Sequence, residues 1–160
     1  MVTPRSGSIA PSLLGNSHSD PLDAARRHRL ELLESIHAFE AAIAVPAGDP
    51  EWRRRVTTRL ERLREAFAEH VALTEGATGL YAELLIAAPR LARNVEVLVR
   101  EHAMITRTLD GLAERLSEAS VDVEPFRSWA SDLLRGMSRH RQRGADLVYE
   151  AYATDIGGET

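Results

Sequence analysis

AFAEHVALTEG, residues 66–76, carries a histidine where the buried seam of an amphipathic helix should carry another leucine. Upstream of it, Val56, Leu60, Leu63 and Phe67 stand four, three and four residues apart. His70 follows at three and Thr74 at four. Alternating steps of three and four keep side chains on one face of an α-helix, the face that packs against other helices. An imidazole in that series is either a hydrogen-bonded core group or a ligand, and a single helix does not separate the two.

The same periodicity extends in both directions along the chain. Ser19-Asp20-Pro21 offers a cap and a proline near the first helical position. From there Leu22, Ala25, Leu32, Ile36, Phe39 and Ile43 keep helical period up to Pro46. The loop PAGDP turns the chain into a second helix, from about Pro50 to Gly76, and GLYAELLIAA reads as a short helical connector. Pro89 opens a third long helix on Leu91, Val95, Leu98, His102, Ile105, Leu109, Leu112 and Leu116, which SEASVDVEP breaks. The fourth runs from about Glu124 to Ala153 on Phe126, Trp129, Leu133, His140, Gly144, Leu147 and Ala151. No window alternates with period two. The expected fold is all-α, an up-down-up-down four-helix bundle over residues 20–156, roughly 40 Å long at ~1.5 Å per residue. Residues 1–19, rich in Ser, Gly, Pro and Asn, read as a mobile tail, and residues 157–160 as a flexible end.

Composition narrows the function classes. With 160 residues, 44% apolar and 28% charged, the chain has the make-up of one soluble globular domain. No apolar run approaches the roughly 18 residues needed to span a bilayer, so no membrane partner is expected. The absence of cysteine excludes disulfides, thiolate ligands, iron–sulfur clusters and a cysteine nucleophile. All 20 basic residues are arginine, which excludes a Schiff-base lysine and a P-loop lysine. The N-terminus has no apolar core of secretory length after Arg5, and a cytoplasmic location is the default expectation.

Arg53, Arg54, Arg55, Arg59, Arg62 and Arg64 make half of the second helix basic. Glu51, Glu61 and Glu65 answer them, and with a net charge of -4 and no aromatic platform they read as a solvated face rather than a nucleic-acid footprint. Trp52, Phe126 and Trp129 are at helical spacing and read as core. His37 and Glu40 read as a helix edge. Ser128 and Ser138 have no triad partners at a recognisable spacing, so hydrolase chemistry has no support.

Of six histidines, three lie on the seam: His70, His102 and His140, one on each of three helices. The loop between the last two helices centres near residues 121 and 122, about 19 residues from His102 and about 19 from His140. At ~1.5 Å per residue the two stand at nearly the same height on antiparallel neighbours. A merely polar core does not require that match. Counted from the first loop, near residues 46 and 47, His70 is about 23 residues out, His28 about 18 and His37 about 10. Height therefore favours His28 over His37 as the contribution of the first helix.

Histidines projecting inward from the helices of a four-helix bundle resemble the hemerythrin-like domain. The wording AFAEHVALTEG, VREHAMI and RHRQRGADLVYEAY carries the resemblance, over roughly residues 22–156. The resemblance implies a metal centre, typically two irons bridged by carboxylates, that binds oxygen or responds to oxidants. Three positions depart from the family's ligand pattern. Where its second helix has glutamate four residues after histidine, this chain has Thr74, with Glu75 one later. Where its third helix has a second histidine, this chain has Thr106; where its fourth has aspartate five residues on, this chain has Ala145, with Asp146 one later. A slip of one residue turns a side chain by ~100° about the helix axis.

The remaining donors are mostly neutral imidazole, a set that suits one zinc, copper, nickel or iron ion better than a carboxylate-bridged iron pair. The expected site is His70, His102 and His140, with His28 and Glu75 beside them, holding iron or another divalent metal. Its expected role is to bind or sense dioxygen or a small oxidant. No acid or base stands beside the histidines at a recognisable spacing, so turnover is not expected. The rival reading is a metal-free helical interaction module with a polar histidine core.

Overall fold

The computed structural model describes residues 21–153, and the readings made of residues 1–19 and 157–160 lie outside the described residues. The elements are α1 (Pro21–Ala44), α2 (Trp52–Glu75), α3 (Leu80–Ala87), a 3₁₀ turn (Pro89–Leu91), α4 (Ala92–Ser117) and α5 (Val123–Ala153). There is no strand among the described residues. α1 packs on α2 and α5, and α4 packs on the same two, which closes an all-α, up-down-up-down four-helix bundle. The short α3 lies against α2, the 3₁₀ turn and α5 and covers one end.

The turn from α2 into α3 depends on backbone proximity. A Cβ at Gly79 would stand 2.7 Å from the Leu73 carbonyl oxygen and 2.8 Å from that of Thr74, so only glycine lets the chain fold back under the end of α2. At the other end of α3, Ala88 leaves helical geometry (φ -141°, ψ 74°) ahead of Pro89, as the ring of a following proline demands.

The seam residues form two apolar clusters. One joins α1, α2, α4 and α5 around Phe39, Leu60, Leu63, Phe67, Leu109, Leu112 and Met137. The other gathers Tyr81, Leu84, Leu91, Leu98 and Leu147 beneath α3. His102 falls between Leu98 of one cluster and Ile105 of the other; His140 falls between Met137 and Leu147. Both imidazoles are buried, at 2% and 3% exposure. A polar layer therefore divides the core.

Two arginines finish helices at the loop end. Arg127 on α5 donates from Nε to the Ile43 carbonyl at 2.8 Å and from Nη2 to that of Val45 at 2.6 Å, satisfying carbonyls left open where α1 ends. Its guanidinium also lies 5.8 Å from the ring centre of Trp52, which meets Phe126 edge-on. Arg53, read in the sequence as part of a solvated face, instead donates to the carbonyls of Leu116 and Glu118 at the end of α4. Long guanidinium stems let these side chains reach across the loop, a reach that sequence spacing does not show. The neighbouring arginines do pair on the surface, Arg54 with Glu51 and Arg55 with Asp49. Trp129, expected in the core, is 37% exposed, because its ring lies across Gly111 at the edge of the α4–α5 contact. No single described helix is long and apolar enough to cross a membrane.

Replacing Arg127 with alanine leaves two helix-end carbonyls without their partner and removes the cation from the face of Trp52. A loss of roughly 1–3 kcal/mol is expected, read as a lower urea midpoint with unchanged slope. An unchanged midpoint would show that water serves those carbonyls equally well.

Candidate metal centre

Each histidine reaches the polar layer from a different helix. His70 comes from α2, one turn beyond Phe67; His102 from the middle of α4; His140 from the middle of α5. Their Nε2 atoms converge. His70 Nε2 lies 3.2 Å from His102 Nε2 and 3.4 Å from His140 Nε2, and one ring nitrogen from each of the three lies within 4.8 Å of the others. The rings of His102 and His140 have centroids 4.6 Å apart. Phe67 forms the floor, with its ring centre 5.7 Å from those of His70 and His102 and 6.4 Å from that of His140.

The opposite edges of the rings meet carboxylates. His102 Nδ1 lies 2.5 Å from Glu75 Oε1, and His140 Nδ1 lies 2.9 Å from Glu101 Oε2. An anionic carboxylate only accepts, so both imidazoles carry their proton on Nδ1 and turn the bare Nε2 lone pair inward. Glu101 is itself held by an ion pair with Arg143. With two lone pairs facing it, His70 satisfies the cluster by donating its Nε2–H between them. Carboxylate behind imidazole is the arrangement that fixes ring orientation and raises the donor strength of a ligating nitrogen.

Burial keeps the three rings neutral. The pKa of His70 falls to about 4, first through desolvation and then through the positive charges that His102 and His140 would carry. His102 falls to about 4 through desolvation and the neighbouring His140, and His140 to about 4 through desolvation. Burial also raises the Glu75 carboxyl above its ordinary range. At neutral pH the site therefore offers uncharged nitrogen donors, the form a metal requires.

The other expected residues fall elsewhere. His28 does not join the three; its Nδ1 lies 3.2 Å from Glu69 and 3.5 Å from Glu31, in a half-exposed group on α1 and α2. A height nearer to His70 than that of His37 did not suffice, because His28 on α1 meets Glu69 of α2 instead. His37 and Glu40 are both exposed. Glu75 belongs to the centre, but behind His102 rather than among the converging atoms: α2 stays helical through Glu75, so the residue after the seam faces the outer edge of His102.

The positions where the family carries carboxylates hold nothing that could bridge. Thr74 is buried with its hydroxyl donated to the carbonyls of its own helix, at 2.8 Å to His70. Ala145 is exposed, and Asp146 accepts from Gln142 on the surface. Thr106 is exposed. Sequence spacing missed Glu101, Arg143 and Tyr81. Glu101 adjoins His102 in VREHAMI and so looked like a surface residue; only the placement of α5 shows that it faces His140. These carboxylates also correct the expectation that no acid or base stands beside the histidines.

The nitrogen separations suit an ion held between the rings. An ion about 2.0–2.1 Å from two nitrogens at a roughly tetrahedral angle holds them about 3.3–3.4 Å apart, and the observed separations are 3.2 and 3.4 Å. A bridged pair of irons needs carboxylates on the inner side, and Glu75 and Glu101 both stand behind the rings. The model of the hemerythrin HHE cation-binding domain family matches residues 20–152. No curated protein and no solved structure matches the chain. The match spans the whole bundle and all three converging histidines, and the chain belongs to the hemerythrin HHE cation-binding domain family.

Proposed function

We propose that this bundle binds a single divalent transition-metal ion, iron or zinc, through Nε2 of His70, His102 and His140, and that it binds or senses dioxygen or a small oxidant there. The observation that carries this reading is the pair of Nε2 separations, 3.2 and 3.4 Å, with the Nδ1 edges of two rings already committed to carboxylates. A bound ion would supply Lewis acidity and, if iron, a redox change at an incompletely filled coordination shell.

The chain's own residues account for the rest. Glu75 and Glu101 lock the tautomers of His102 and His140 and hold two of the three rings at fixed angles, so little ordering remains to be done on binding. Arg143 balances the charge of Glu101. Phe67 and the apolar clusters on either side keep water from the floor of the site. His70 must exchange its inward Nε2–H for a proton on Nδ1 before that lone pair is free, which makes it the adjustable member of the three. The two carboxylates stand behind the rings rather than toward their centre, a placement suited to holding and tuning ligands rather than to moving protons of a substrate. Binding or sensing fits this better than turnover.

Untagged protein analysed for metals should contain about one ion per chain, and two irons per chain would overturn the single-ion reading. Chelation at pH 7.5 should lower the melting temperature, since an ion at a hundred times its dissociation constant adds about 2.7 kcal/mol of stability. His102→Gln should abolish that difference. A melting curve indifferent to added iron, zinc and chelator would leave the metal-free interaction module standing.

The metal-free protein tests the buried imidazoles by themselves. Their folded pKa values, about 4, lie below the unfolded value of 6.5, so the unfolded chain binds more protons between those limits. Their stability contribution is complete above pH 6.5, declines as pH falls and is gone near pH 4, by roughly 3 kcal/mol for each ring that behaves independently. Urea midpoints of the chelated protein from pH 7.5 to 4 measure this, and a flat profile would mean that the rings are not desolvated.

A further inference from the structure

Tyr81 is buried at 6% exposure, and its ring lies nearly parallel to His102, 5.8 Å between centroids and 14° between planes. Its hydroxyl comes level with the inner edge of that imidazole, 3.5 Å from His102 Nε2, which is long for a hydrogen bond. Packing of the two rings thus holds the phenol at the mouth of the histidine cluster.

Once the lone pair of His102 is taken up by an ion, the Tyr81 O–H loses that acceptor and is left as a donor on the open side of the site. A phenol ordinarily keeps its proton at neutral pH. A fixed donor in such a place favours a small ligand that accepts hydrogen bonds over one that does not. We infer that Tyr81 is a specificity-determining residue of the site, donating its phenolic hydrogen to a small anion or oxygen-type ligand bound on the open side of the three histidines. This rests on the single-ion reading above.

The experiment uses the full chain loaded with cobalt(II), titrated with azide and followed by the visible cobalt spectrum. Cobalt uptake is measured first. Failure of the wild-type protein to take up cobalt, zinc or iron overturns the single-ion reading, and this inference with it. With cobalt bound, Tyr81→Phe should keep its cobalt affinity and bind azide about tenfold more weakly, the expected effect of losing one hydrogen bond to a charged acceptor. Azide bound equally well by the loaded wild type and Tyr81→Phe overturns the inference while leaving the metal site intact. If Tyr81→Phe does not fold, the full chain made with fluorotyrosine decides: the more acidic phenol is a stronger donor, so tighter azide binding at unchanged cobalt affinity supports the role and unchanged azide binding overturns it. A phenolate-to-iron(III) charge-transfer band that Tyr81→Phe abolishes would make Tyr81 a ligand and overturn its role as donor.

Discussion

Three imidazoles in an apolar bundle must each find a partner for two nitrogens, and the structure depends on how that requirement is met. Desolvation removes the charged form, so every ring has one donor and one acceptor to place. Water cannot serve the inner atoms of rings that are 2–3% exposed. Glu75 and Glu101 take the outer protons of His102 and His140, and this choice determines everything on the inner side. Two lone pairs then face the centre, where His70 donates between them and the Tyr81 hydroxyl stands 3.5 Å from that of His102. Neutral nitrogens turned toward one point are the donors a cation requires. A purely structural core histidine has no need of that convergence, because pairing with any nearby carbonyl would satisfy it.

The rest of the bundle makes such a layer tolerable. Dividing one core into two apolar clusters leaves each smaller, and each is closed by a different device. At the loop end, Arg53 and Arg127 reach across to the carbonyls where α4 and α1 finish, and Trp52, Phe126 and Arg127 pack together over the gap. At the other end, α3 folds back beneath α2, which requires glycine at position 79. That fold-back also brings Tyr81 to the inner edge of His102 and stops α2 at Glu75, so a turn needed for packing sets two contacts of the site.

Reading the sequence alone reached the bundle and the convergence of three helices because both follow from periodicity and length. Val56 to Thr74 keep one face, and His102 and His140 share a height because they are equally far from their loop. What sequence could not reach depends on rotation about the helix axis and on side-chain reach. His28 has a height compatible with His70 but turns toward Glu69. Glu75 is expected at the site but not behind His102, and Glu101 lies off the seam, yet α5 brings His140 within its reach. Arg53 sits in a basic run whose other members pair on the surface, and its separate task is visible only once α4 ends beside it. Tyr81 lay in a segment read as a connector, where no periodic pattern assigns a facing.

Two of the three departures from the family's ligand pattern are of one kind, and this bears on how many ions the bundle can hold. At 74 and 145 the residues on the carboxylate positions are threonine and alanine, and the nearest acids are one residue later. In α2 the slip moves Glu75 from the inner side to the back of His102, so a group that would bridge two ions instead tightens the hold of one nitrogen. In α5 the slip sends Asp146 to solvent, where it meets Gln142, and Glu101 from α4 takes up the service of His140. Negative charge is thus kept close to the histidines but withdrawn from their centre. A pair of irons brings four or more positive charges, and three neutral nitrogens on the inner side leave them unbalanced at short range. One divalent ion, with two carboxylates a single imidazole away, leaves no such excess. The charge that the family places between two metals here orients the rings of His102 and His140 from behind.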